Sequence, residues 1–130
     1  MPDHLPYLWI ESPPVPGFSI TVSGPSISTT LHAIIDTGAS HTVIPDYLVG
    51  QLRLMKIADQ ALSVRGPELR PDVADTYLAR LSFLGIELRH AVLPRPEWDE
   101  VLIGRDILNA WMLTLDGPNR RFGFEIVKEG

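Results

Sequence analysis

One carboxylate in this chain stands where it could do chemistry: Asp36 follows an apolar run and opens a turn with Thr37 and Gly38. A carboxylate at the end of a buried strand costs free energy unless it is hydrogen-bonded or used in a reaction. The threonine adds a hydroxyl, and the glycine lets backbone or a substrate approach closely. This combination is typical of a carboxyl group that works as a general acid or base.

Peptide-bond hydrolysis by carboxylates alone needs two of them. One activates water while the other protonates the substrate carbonyl, and the pair shares one proton. The chain contains one Asp-Thr-Gly, because Asp75-Thr76 precedes Tyr77 and Asp116-Gly117 lacks the intervening hydroxyl residue. A two-carboxylate site therefore requires a second copy of the chain across a twofold axis. The alternative is that Asp36 only caps the turn after a strand.

Composition and charge argue against several other classes of function. The chain has no cysteine, which excludes thiol nucleophiles, disulfides and zinc–thiolate sites. Its net charge is −5 and its basic residues are scattered, so we expect no nucleic-acid partner. The four histidines lack ligand spacing, so we expect neither a metal nor a cofactor. With no signal-peptide core and no run of about 18 apolar residues, we expect a cytoplasmic protein without a membrane partner.

The elements that must position Asp36 are mostly strands. Twelve prolines and ten glycines divide the 130 residues into short segments, which favours strands over long helices. Alternating or apolar runs predict strands at 18–23, 27–35, 42–44, 61–64, 76–83, 87–93, 101–103, 112–115 and 121–126. A helical turn is predicted within 46–54, a helix from Arg105 to Trp111, and an exposed link at 65–72. We expect residues 1–130 to form a single all-β domain.

Two sequence elements resemble those of the retropepsin-like aspartic proteases. The first is Ile34 to Ser40 with Val43 to Pro45 downstream, which resembles the active-site loop. The second is Leu102 to Leu108, an apolar pair followed by Gly, Arg and Asp that opens a helix. The resemblance extends from about Phe18 to Phe124. It implies a single-domain acid-protease β-barrel with one short C-terminal helix and an active site at the twofold axis of a homodimer.

The resemblance also implies roles for the residues of the turn. Asp36 would be the catalytic aspartate. Thr37 would donate its hydroxyl across the twofold axis to brace the opposite loop. Gly38 would hold the turn and offer its carbonyl to a bound peptide.

Further residues are implied to bind substrate. Ala39 and Ser40 would line the cleft. His41 could reach a substrate side chain, or be a solvated loop histidine. Gly66 and Pro67 would lie in a flap that closes over the substrate; the alternative there is an ordinary surface hairpin loop.

The second element would support the first. Leu102, Ile103 and Gly104 would pack beneath the Asp36 loop. Retroviral members usually pair the arginine that corresponds to Arg105 with an acidic residue where Ser40 stands, so Arg105 needs another partner here. Their flaps are also glycine-rich, whereas this segment has one glycine and two prolines.

Together these features predict a homodimeric aspartic endopeptidase that cleaves extended polypeptides. Two alternatives stay open: a dimeric peptide-binding or scaffolding module without proteolysis, and a processing unit cut from a larger protein. The dimer is expected to form through the chain termini and the last hairpin, with contacts in Leu5 to Ile10 and Phe122 to Val127.

Overall fold

The computed structural model describes residues 4–57, 62–65 and 71–127. Two short helices occur there, α1 (Tyr47–Gln51) and α2 (Arg105–Leu108), and the rest of the regular structure is strand. The strands are β1 (Leu5–Pro6), β2 (Gly17–Ser23), β3 (Ser28–Ile35), β4 (Val43–Pro45), β5 (Met55–Lys56), β6 (Leu62–Arg65), β7 (Pro71–Ala74), β8 (Tyr77–Phe83), β9 (Ile86–Arg95), β10 (Val101–Ile103), β11 (Trp111–Asp116) and β12 (Arg121–Ile126).

Six strands close into a barrel, in the order β2, β3, β10, β4, β9, β8 and back to β2. Pairing of β2 with β8 closes the barrel. Phe18, Ile20 and Val22 of β2 are buried while Ser19 between them is exposed, so the period-2 pattern marks the face that points into the barrel. Their side chains fill the barrel with those of β8, among them Leu81 and Phe83. Closure leaves no unpaired edge among these six strands.

The position of β10 determines where Asp36 lies. This strand runs between β3 and β4, parallel to the first and antiparallel to the second. All three of its residues, Val101 to Ile103, are buried, which explains its unbroken apolar run. The loop from β3 to β4, residues 36–42, therefore crosses over the end of β10, where Gly104 lies.

A second sheet, in the order β1, β12, β11, packs on the barrel through aromatic rings. The Trp111 ring stacks on Phe124 with centroids 4.4 Å apart. It also lies 5.9 Å from the ring of Phe83 and 6.5 Å from that of Phe18, which belong to the barrel. This contact ties the terminal hairpin to the core, where aromatic pairs contribute beyond their buried area.

The structure confirms the all-β barrel and corrects several element boundaries. The helix predicted from Arg105 to Trp111 ends at Leu108, because Trp111 pairs with Ile126 in the second sheet. A second helix, α1, forms within the predicted helical turn at 46–54, whereas the resemblance implied one helix. The predicted link at 65–72 was wrong at its end, since Pro71 begins a strand that pairs with β6.

Strand β9 runs to Arg95, beyond its predicted end at Leu93. Proline was expected to close this strand because it has no N–H to donate. On the side of β9 that faces β4, the Leu93 N–H donates to the Thr42 carbonyl. The Arg95 carbonyl accepts from the Asp46 N–H. Pro94 therefore continues the strand without needing a donor of its own. In the described part of the chain, no helix combines the length and hydrophobicity needed to cross a membrane.

Candidate active site

Asp36 is the first residue of a hydrogen-bonded turn that follows β3. Its backbone N–H donates to the Ile103 carbonyl at 3.0 Å, so β10 fixes the start of the loop. The Gly38 N–H donates to Asp36 Oδ1 at 2.9 Å, and the Ala39 N–H donates to the Asp36 carbonyl at 3.1 Å. The sequence predicted a buried carboxylate, whereas in the single chain Asp36 is half-buried and its turn faces outward.

The neighbouring residues of the predicted site share this accessible loop. Thr37, Gly38 and Ser40 are exposed, while Ala39 and His41 are half-buried. The structure thus gathers the predicted residues 36–41 into one continuous surface. The predicted flap residues, at positions 66 and 67, lie outside the described residues.

Gly104 supports the loop by close approach. A Cβ atom built there would lie 2.6 Å from both the carbonyl carbon and the carbonyl oxygen of His41, and 3.0 Å from the Ala39 oxygen. Its φ of −94° suits any residue, so the requirement for glycine is one of space. The next residue holds the loop directly, since the Arg105 N–H donates to the Ala39 carbonyl at 2.8 Å.

The side chain of Arg105 takes a partner that the sequence did not identify. Its guanidinium donates to the Thr37 carbonyl oxygen at 2.8 Å. A carbonyl thus accepts the charge-assisted hydrogen bond for which the retroviral pattern uses a carboxylate. Ser40 is not needed for this anchor, which resolves the departure noted in the sequence.

Asp106 is a supporting residue that sequence reasoning missed. Its Oδ1 accepts a hydrogen bond from the Thr42 hydroxyl at 2.8 Å, and its Oδ2 accepts one from the Thr42 N–H at 3.0 Å. The same Oδ2 lies 2.8 Å from Nε2 of His90, on β9. The Thr42 hydroxyl also accepts from the Gly104 N–H at 3.2 Å. The acidic residue after Arg105 was a signal in the sequence, but its partners are far away along the chain.

Residues 105 and 106 therefore clamp the loop near its two ends. Arg105 binds the Thr37 carbonyl near the start, and Asp106 binds Thr42 at the end. Both oxygens of Asp106 are engaged with Thr42 and His90, which marks this carboxylate as structural. Asp36 differs from it in its hydrogen bonds, since among the described residues its side chain accepts from the Gly38 N–H on Oδ1.

The hydrogen bonds of Asp106 change its acidity. Partial burial by itself would raise the pKa of Asp106, but the hydrogen bonds from His90 and Thr42, together with the charge of His90, hold that pKa below its usual range. The charged form of Asp106 is consequently the one that the folded loop favours.

This lowered pKa predicts a pH-dependent contribution to stability. It is fully present above about pH 5, where the carboxyl is ionised in the unfolded chain too. It is lost as the pH falls through the lower pKa of the folded state. The Asp106→Asn variant lacks it at every pH. Urea unfolding of both proteins between about pH 2 and 5 should show their free-energy difference shrinking as the pH falls below about 5. A difference that stays constant down to the lowest pH would contradict this account.

Comparisons with known proteins agree with this geometry. The family described as gag-polyprotein putative aspartyl protease matches residues 26–110, which include both the Asp36 loop and Gly104 to Asp106. No curated protein matches the chain in sequence.

Solved structures show the same fold. The solution structure of the Simian Foamy Virus (mac) protease superposes with a TM-score of 0.54 at 20% identity, covering 72% of this chain and 92% of that one. The EIAV protease complexed with the inhibitor HBY-793 gives 0.52 at 20% identity, covering 81% and 92%. The foamy viral protease–reverse transcriptase in complex with an RNA/DNA hybrid gives 0.51 at 20% identity, covering 72% of this chain but 12% of that one. With the family match over most of its length, the chain belongs to the gag-polyprotein aspartyl protease family, a group of retropepsin-like aspartic proteases.

Proposed function

We propose that this protein is a homodimeric aspartic endopeptidase in which each of two chains supplies one Asp36. The observation that carries the proposal is the Asp36 turn, a carboxylate oriented by the Gly38 N–H on an accessible loop clamped from below. A twofold axis through this loop would bring two such carboxylates together. Two like charges in contact cannot both ionise easily, so the pair would hold one proton between them.

The chemistry then follows from the shared proton. The ionised carboxylate takes a proton from water as the water oxygen bonds to the substrate carbonyl carbon. The protonated carboxyl gives its proton to the carbonyl oxygen, forming a neutral tetrahedral intermediate. Collapse of that intermediate breaks the C–N bond as the leaving nitrogen takes the proton of the protonated carboxyl, and a hydroxyl of the intermediate gives its proton to the other carboxylate, so that the pair again holds one proton. The products are a free carboxyl end and a free amino end.

The remaining predicted residues have roles in the same proposal. Thr37 braces the loop of the other chain, and the Gly38 carbonyl accepts from the substrate backbone. Ala39, Ser40 and His41 line the cleft that takes an extended polypeptide, whose main-chain hydrogen bonds position it while alternate side chains enter pockets. In this proposal Gly66 and Pro67 have the flap role that the resemblance implies.

Exposed apolar side chains on the terminal hairpin support dimer formation. Met112 is 63% exposed and Val127 is 46% exposed, at diagonal positions on the outward face of the second sheet. Leu115 and Ile126 are also exposed, on the opposite face of this sheet, where they lie across from Phe122 and Trp111. Phe122 is buried within its own chain, so we assign the contact to these exposed residues rather than to the whole hairpin.

Dimer formation predicts that specific activity depends on concentration. We expect cleavage of an unstructured protein between about pH 4 and 7 to rise per chain as enzyme is concentrated, because only dimers hold two carboxylates. Adding about a ninefold excess of Asp36→Asn chains should lower the activity per wild-type chain about tenfold, since most wild-type chains then pair with inactive ones.

One control and two contrary outcomes test this prediction. The same excess of a folded, unrelated protein should leave the activity unchanged. Activity per wild-type chain that is indifferent to both dilution and mixing would exclude a shared site. Peptide binding without cleavage at any concentration would favour the non-catalytic module instead.

A further inference from the structure

His90 lies outside both sequence elements that define the site, yet it is bonded to one of them. It sits on β9, and its Nε2 is 2.8 Å from Asp106 Oδ2, with the two side chains only 24% and 20% exposed. An ionised carboxylate can only accept hydrogen bonds, so Nε2 of His90 must carry the hydrogen. This hydrogen bond therefore has a fixed direction, from the imidazole to Asp106.

The chain of hydrogen bonds continues into the loop. The Gly104 N–H can only donate, so the Thr42 hydroxyl accepts from it and turns its own hydrogen to Asp106. His90 and Thr42 therefore both donate to Asp106, and Gly104 donates to Thr42. Thr42 is fully buried, which keeps water from replacing these partners.

This group is not a hydrolytic triad, although it contains threonine, histidine and aspartate. In a triad the histidine stands between the hydroxyl and the carboxylate and takes the hydroxyl proton. Here the carboxylate stands in the middle, and the hydroxyl is buried away from any substrate. Such an arrangement holds a position and does not activate a nucleophile.

We propose that His90 is a positioning residue for the Asp36 loop, acting through Asp106 on Thr42. The inference rests on the proposed function, because the position of Asp36 matters most if it does chemistry. With His90 in place, each oxygen of Asp106 has a set of donors that fixes the rotation of the carboxylate. Without it, Oδ2 keeps only the Thr42 N–H among the described residues, and the end of the loop loses one of its restraints.

Activity tests compare His90→Leu with His90→Gln, whose side-chain amide supplies an N–H. We expect His90→Leu to lower kcat about tenfold with KM changed less than about twofold, because small misplacements of a reacting group cost rate. His90→Gln should recover most of that loss. The control is His32→Leu, which removes an exposed histidine from β3 and should change neither constant. Wild-type kcat in His90→Leu, or His90→Gln as poor as His90→Leu, would overturn the proposal.

A second measurement needs no catalysis. Amide hydrogen exchange of Thr42, followed by NMR in an Asp36→Asn background, should be about tenfold faster in His90→Leu than in His90→Gln or His32→Leu. Unchanged exchange at Thr42 would overturn the role of His90 whether or not the enzyme cleaves peptides. Absence of cleavage by the protein without any substitution would count against the proposed function alone, and the exchange rates would still decide whether His90 holds the loop.

Discussion

Replacing Asp36 with asparagine should lower the rate of peptide-bond cleavage at least about 10³-fold, within the range that general acid–base catalysis contributes. The amide neither takes a proton from water nor passes one to the substrate. Its oxygen can still accept the Gly38 N–H hydrogen bond that Asp36 Oδ1 accepts. The turn should therefore keep its shape, so the loss would reflect chemistry and not folding.

The measurement is cleavage of an unstructured protein by purified wild type and variant at equal dimer concentration. A matched control is Asp46→Asn, which removes one negative charge from an exposed aspartate whose side chain makes no capping hydrogen bond. We expect this control to cleave at the wild-type rate. Comparable cleavage by Asp36→Asn and wild type, with both folded, would rule out the assignment of Asp36.

The second large effect is expected from Gly104→Ala. The added methyl group would lie 2.6 Å from the His41 carbonyl group, well inside van der Waals contact, so the loop must move. Overpacking of this kind typically lowers the free energy of unfolding by about 1–3 kcal/mol. Because the displaced loop carries Asp36, we also expect activity to fall about 100-fold, as misplaced catalytic groups do.

Gly50→Ala is the matched control for this substitution. A Cβ atom at Gly50 would meet no atom of the described residues within 4 Å, and the residue lies in helix α1. Alanine there should raise the free energy of unfolding by roughly 0.5–1 kcal/mol, because glycine is a poor helix former. Urea unfolding and cleavage assays on both variants test the prediction. Stability and activity of Gly104→Ala equal to wild type would show that the loop does not rest on this glycine.

Strand positions could be predicted because their signal is local. Alternating burial along β2 follows the alternation of Phe18, Ile20 and Val22 with polar residues. The buried run Val101 to Ile103 was equally readable, since a strand covered on both faces has no polar positions. The helix after Gly104 was predicted too long because Trp111 fits the apolar spacing of a helix as well as that of a strand. The pairing of Trp111 with Ile126 and its stacking on Phe124 place it in strand β11.

The turn of Asp36, Thr37 and Gly38 and the all-β character of the chain could be predicted from the sequence. These depend on residue types and spacings a few positions apart. The contacts that hold the turn in place could be identified only from the folded chain. The partner of Arg105 is a backbone carbonyl, which every residue possesses and no sequence pattern marks. The partners of Asp106 lie on β9 and at the end of the loop, and they meet because β10 runs between β3 and β4. Hydrogen bonds between distant segments depend on strand order, which local residue patterns do not encode.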